Sequence, residues 1–286
     1  MKSYSHILSK MFYEPMVVTP MRHAAIWQLI QSKIGAGGVE VNVGSIPKAD
    51  PEDGDGPEQN YYDPDQEDEE SEISGTCIIP VHGTLVMHSE DLANSECGCA
   101  LYDLQSLIDS AERDPRISRV IYDFRSPGGS VTGVEETGRK ILNSRKETIA
   151  YTDSECCSGA IWLASQCEKF YATPSSRVGS VGVYCMTLDM SKAMEEDGMK
   201  VNAVFAAKYK LLGASFKPLE DDEREILQKG VSKIYKQFKT AMESHRVVDD
   251  ENFGSGLVFD GEDAASIGFT DGCVDSLDEV LDNLPS

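Results

Sequence analysis

The hydrophobic pattern changes character along the chain. In MRHAAIWQLIQSKI (21–34), Ala25, Ile26, Leu29, Ile30 and Ile34 recur at helical spacing, which predicts a short amphipathic helix. Its simplest role is docking onto the main domain, and the functional alternative is a partner-binding or removable pro-segment. The following run ADPEDGDGPEQNYYDPDQEDEESEI (49–73) is acidic and contains Pro and Gly. It cannot bury enough apolar surface to offset its ordering entropy, so residues 49–74 are expected to form a disordered linker. From Gly75 short apolar runs alternate with helical spacings. CIIPVHGTLV (77–86) reads as a buried strand ending in a turn, and SRVIYDF (118–124) and ETIAYT (147–152) as two more. Lys169–Ala172, Val181–Met186 and VNAVFA (201–206) have the character of further strands. Leu104, Leu107, Ile108 and Ala111 mark one helix face, and Val134, Ile141 and Leu142 another. Residues 158–166 and 191–197 read as short helices. A long helix follows Pro218, its start rich in acids from Glu220 to Glu223 and its stripe built from Leu227, Val231, Ile234, Phe238 and Met242. The alternation predicts an α/β domain over residues 75–286, with short parallel strands and flanking helices, preceded by an extension over 1–48 and the linker.

Charge narrows the partners. The formal net charge is −23 over 286 residues, a balance that repels nucleic acid and anionic lipid. Residues 1–48 are slightly basic, and after Lys48 no Lys or Arg appears until Arg113. The eight cysteines include the adjacent pair Cys156 and Cys157 and the close pair Cys97 and Cys99, with no framework of spaced pairs. Reduced thiols are the expectation. A metal site from Cys97, Cys99 and His88 is a weak candidate, since it lacks a second CxxC or HxxxH element. No run of about 18 apolar residues is present, so no membrane span is expected. The start MKSYSHILSKMFYEP lacks the apolar core of a secretory signal.

Four segments could carry chemistry. SPGGSV (126–131) follows a strand and precedes a helix, and its glycines allow a sharp turn with N–H groups facing open space. An ordinary strand-to-helix turn would look the same. In ECCSGAIWLAS (155–165), Ser158 sits where a strand gives way to a helix, which exposes a hydroxyl beside the Gly159 N–H. Ser at such a place most often caps the helix, and Cys156 or Cys157 is an alternative nucleophile. In RVGSVGVY (177–184), Ser180 lies between two glycines and alone reads as a turn serine. In FAAKYKLLGASFKPL (205–219), Lys210 has Leu211 and Leu212 beside it. Burial would lower its pKa toward neutrality and make it a base, whereas a surface lysine is the ordinary reading.

The order strand–SPGGS, SG at a helix start, GSVGV and KYK resembles the SppA-type signal peptide peptidases and their relatives, the bacteriophage prohead proteases. The tail VFDGEDAASIGFTDG (258–272) is similar too, through Gly261, Ala264, Gly268 and Asp271. The resemblance covers about residues 75–283 and implies a crotonase-like (Clp protease/SppA-like) α/β fold and a Ser/Lys dyad without a cofactor. It implies Ser158 as nucleophile, Lys210 as general base, Ser180 as the serine that orients the lysine, and Gly129 and Gly159 as oxyanion-hole donors. It also implies protein or peptide substrates, scaffold and capsid proteins among them, and a homo-oligomer, in the bacterial host cytoplasm or the phage prohead. Cys157 before Ser158, SGA instead of SGG, and Ala207 before KYK depart from the family pattern. The N-terminal stretch EPMVVTP…IWQLI is similar to the prohead branch. An anchorless SppA-like peptidase is the nearest alternative, and an acyl-CoA enzyme of the crotonase type or an inactive scaffold protein are more distant ones.

Overall fold

The computed structural model describes residues 15–18, 75–91, 98–248 and 253–283. The expected helix at 21–34 and the whole acidic linker lie outside them. The first described element is β1 (Met16–Val18). The apolar run at 77–86 forms two strands, β2 (Thr76–His82) and β3 (Thr84–Val86), because Gly83 between them takes φ of 82°. Only glycine adopts that conformation without strain. β4 (Gly98–Ala100) feeds directly into α1 (Leu101–Arg113), which buries Leu101, Leu104, Ile108 and Ala111. β5 (Arg119–Arg125) and β6 (Gly128–Ser130) are joined by Ser126 and Pro127, so the glycines of the expected turn lie in a strand, and α2 (Val134–Leu142) follows. Val134 and Ile141 are buried there, while Leu142, one step around the helix at its last position, is exposed.

β7 (Glu147–Thr152), β8 (Glu155–Cys157), α3 (Gly159–Ala164), β9 (Lys169–Ala172) and β10 (Arg177–Gly179) come next. Beyond them lie α4 (Ser191–Glu196) and α5 (Asp221–Glu243). The closing elements are β11 (Val258–Asp260), α6 (Gly261–Ser266), β12 (Gly272–Cys273) and α7 (Leu277–Asp282). The predicted α/β class with parallel strands is the one formed. The largest sheet runs β12-β9-β7-β5-β2, parallel throughout. A second sheet has the order β1-β6-β3-β4, and a third β11-β10-β8. Helix α3 is buried along its whole length, and Trp162 stacks on Phe238 of α5 with ring centroids 4.8 Å apart.

Two expected strands do not form. Of residues 181–186, Tyr184 pairs with Met16 as an isolated bridge, and VNAVFA (201–206) is exposed throughout. Strand-forming side chains alone do not make a strand when no neighbouring edge pairs with it. In α5 the stripe is covered unevenly: Phe238 and Met242 are buried, whereas Leu227, Val231 and Ile234 are half-buried.

Candidate active site

Strands β8 and β10 run parallel with Cys157 opposite Gly179, so the residue after each strand emerges at the same level. Those residues are Ser158 and Ser180. Ser158 has φ of 55° and ψ of −117°, its N–H donates to the Gly179 carbonyl at 2.8 Å, and it is 1% exposed. A non-glycine residue in this region costs on the order of 1–3 kcal/mol and persists only where its surroundings enforce it. Its hydroxyl does not cap α3, so the ordinary capping role is not the one it plays. Ser180 has φ of 56°, and its N–H donates to the Leu257 carbonyl at 2.6 Å, just ahead of β11.

The glycine turn is pinned to the same strand. Ser126 N–H donates to the Glu155 carbonyl at 2.7 Å, and Cys157 N–H donates to the Ser126 carbonyl at 3.0 Å. The Ser126 hydroxyl donates to the Gly83 carbonyl at 2.7 Å and accepts from Gly128 N–H at 3.2 Å. Gly128 is needed for its φ of 90°. Gly129 is needed for proximity, since a Cβ there would lie 2.0 Å from the Leu85 carbonyl oxygen. Helix α3, which begins at Gly159, packs against β6. The fold thus gathers Ser158 with Gly159, Ser180, and the Gly128–Gly129 pair from three separate segments.

Lys210 takes the surface position of the ordinary reading and not the apolar burial that a neutral base requires. It lies on an exposed turn closed by Lys210 N–H donating to the Ala207 carbonyl at 3.1 Å, and no hydrogen bond joins its Nζ to either serine. The neighbouring Leu211 and Leu212 are half-buried and do not cover it. Of the two KYK lysines, Lys208 is committed elsewhere. Its Nζ pairs with Asp222 Oδ2 at 2.7 Å, and that contact raises its pKa and holds it charged. Among the described residues Lys210 forms no salt bridge.

The cysteines beside Ser158 are unsuited to attack. Burial pushes the Cys157 thiol up to about 12, and Cys156 is also raised well above the ordinary range, again chiefly by burial. Only a thiolate is an effective nucleophile.

Sequence reading missed a charged cluster beneath the glycine turn. His82 Nε2 lies 2.9 Å from Asp123 Oδ2, and the Arg125 guanidinium spans Asp123 and Asp153 at 3.3 and 3.2 Å. Asp123 is fully buried. His82 and Arg125 face one another across β2 and β5, so the cluster ties the strand ends that lead into Ser126. The available signal was a charged residue inside the apolar run RVIYDFR. His82 is engaged with Asp123, and no hydrogen bond links it to Ser158.

No helix among the described residues is long and apolar enough to cross a membrane. A protease-named protein of Methanocaldococcus jannaschii is 30% identical over 171 residues, 58% of this chain and 55% of that protein. The head-tail preconnector protein of enterobacteria phage P21 is 24% identical across 98% of this chain and 57% of its own length. The capsid assembly protease C of Escherichia phage lambda is 24% identical across 98% of this chain and 65% of its own. The chain therefore spans between 55% and 65% of the length of these relatives. Peptidase family S49 matches residues 140–284, a stretch that holds Ser158, Ser180, Lys210 and the Gly261–Asp271 tail, and the chain belongs to that family.

Proposed function

We propose that the chain is a serine endopeptidase of phage head assembly, with Ser158 as nucleophile and Lys210 as general base, acting on scaffold and capsid proteins. The observation that carries the reading is Ser158 itself: buried, held at positive φ, its hydroxyl unused as a cap, beside the Gly159 backbone. The phage branch is favoured because both phage relatives align across 98% of this chain, against 58% for the archaeal protein.

In this reading neutral Lys210 takes the Ser158 Oγ proton, and Oγ bonds to the scissile carbonyl carbon. The N–H groups of Gly129 and Gly159 stabilise the oxyanion. The lysine ammonium returns its proton to the leaving amine as the C–N bond breaks. Water, deprotonated by Lys210, then attacks the acyl ester carbonyl, and the lysine ammonium returns that proton to Ser158 Oγ as the ester C–O bond breaks. Ser180 orients the lysine. A lysine neutral near pH 7 has to be desolvated. The surface that desolvates Lys210 comes from a second copy of the chain, which would cover the open side chains of Met199, Val201, Val204 and Phe205 on the same segment.

The test follows an unfolded protein substrate by mass spectrometry with native chain, Ser158→Ala and Lys210→Ala. Native chain cleaves, and each variant loses about 10³-fold or more while remaining folded. Equal activity in all three rejects the dyad. If all three are silent, the measurement is repeated with co-expressed scaffold protein, and silence there also rejects it.

A further inference from the structure

The chain's own β1 lies between the glycine turn and the segment that follows Ser180. On one side β6 runs antiparallel to it, with Met16 opposite Ser130, Val17 opposite Gly129 and Val18 opposite Gly128. On the other side Met16 N–H donates to the Tyr184 carbonyl at 2.8 Å, and Tyr184 N–H donates to the Met16 carbonyl at 3.2 Å. β1 is therefore paired on both edges. Paired strands lie about 4.8 Å apart, so the two flanking backbones stand roughly 10 Å apart and admit one extended peptide. Both flanks belong to the site: β6 carries Gly129, and Tyr184 follows Ser180 by one short stretch of chain. The Met16 side chain is buried.

This is the geometry by which proteins recognise peptides through strand addition. Main-chain hydrogen bonds hold the ligand, and pockets for individual side chains select it. β1 is only three residues long and is preceded by Pro15, which has no N–H to extend the ladder. So short a strand is held weakly enough to be displaced.

We propose that β1 is an internal ligand of the peptide-binding cleft, occupying the place of an extended apolar substrate segment and leaving before substrate enters. The proposal rests on the peptidase reading of Ser158. The cleft then selects extended chain with an apolar side chain where Met16 sits. The N-terminal segment is a tethered competitor, present at an effective concentration on the order of millimolar.

The experiment titrates a fluorescent YEPMVVTP peptide, the sequence of residues 13–20, into the full chain carrying Ser158→Ala, followed by anisotropy. The same titration is made with Met16→Pro added, which removes the N–H that Tyr184 accepts. The released form should bind the peptide about tenfold tighter or more, since the tethered competitor is gone. A second form carries Met16→Cys and Tyr184→Cys at a hydrogen-bonded antiparallel pair, where Cα atoms are about 5.5 Å apart and within disulfide reach. Oxidised, it should lose peptide binding, and reduction should restore it. Equal affinity in the native and released forms, no binding to the released form, or equal binding by the oxidised and reduced forms overturns the proposal. Anisotropy needs no catalysis, so the two readings fail separately. A chain that binds in this pattern but cleaves nothing refutes the dyad alone, and one that cleaves with peptide affinity indifferent to β1 refutes the internal ligand alone.

Discussion

Ser158 and Ser180 stand one residue beyond the paired strand ends Cys157 and Gly179, and both have φ close to +55°. Parallel register alone delivers both serines to one level, and the backbone turns sharply at each. Neither conformation is one that serine prefers, so each is imposed by the hydrogen bonds behind it, to Gly179 and to Leu257.

That strain can be measured. Ser158→Ala keeps the strained backbone and removes the hydroxyl, whereas Ser158→Gly removes both. Relief of roughly 1–3 kcal/mol outweighs the extra unfolded-state entropy of glycine, about 0.4–1 kcal/mol. Ser158→Gly should therefore be about 1 kcal/mol more stable than Ser158→Ala in urea unfolding, with both inactive. An alanine variant as stable as the glycine variant would mean that the site holds no strain.

The thiols give a second expectation. With Cys157 pushed up to about 12, the protonated form persists throughout pH 7–9, and raising the pH within that window yields no appreciable thiolate. Iodoacetamide on the folded chain should label exposed Cys273 first and leave Cys156 and Cys157 unmodified, with peptidase activity retained. Peptide mapping by mass spectrometry reports the sites. Labelling at Cys157 that rises with pH and tracks loss of activity would restore a cysteine nucleophile.

The C-terminal tail makes a third. Asp271 Oδ2 accepts from Phe170 N–H at 2.8 Å and pairs with Arg246, whose guanidinium also donates to the Cys167 carbonyl at 3.0 Å. Arg246 is almost fully buried. Asp271→Ala leaves that charge without its carboxylate and should cost roughly 3–5 kcal/mol, read as a lower denaturation midpoint. A change below about 1 kcal/mol would show the pair to be solvated, as surface pairs are.

The sequence made some features plain for physical reasons. ETIAYT is buried from Thr148 to Thr152 because both faces of the parallel sheet are covered there, and the strand limits of ETIAYT and KFYA are those expected. The tail glycines were visible as a pattern, and the structure supplies the cause. A Cβ at Gly261 would lie 2.0 Å from the Thr173 carbonyl oxygen, and one at Gly268 2.1 Å from that of Val247. Other features were hidden. His82 and Asp123 meet only through β2–β5 pairing, which no local pattern encodes. β1 is too short to show alternation, and its partners lie far along the chain. For Lys210 the adjoining Leu211 and Leu212 left burial and a surface position both open, because apolar neighbours in sequence do not say which surface covers them.

β10 and β11 pair antiparallel, Gly179 opposite Val258, with Ser180 and Leu257 bonded at the next step. The stretch between Ser180 and Leu257 therefore has its two ends joined at the sheet edge. Beyond that junction the stretch is anchored again, by Phe238 stacked on Trp162 and by Arg246 paired with Asp271, so only its exposed part around Lys210 can change in length without disturbing the core. Ser158 and Lys210 thus sit on supports of different character, the serine locked into the sheet and the lysine carried on an exposed stretch of chain.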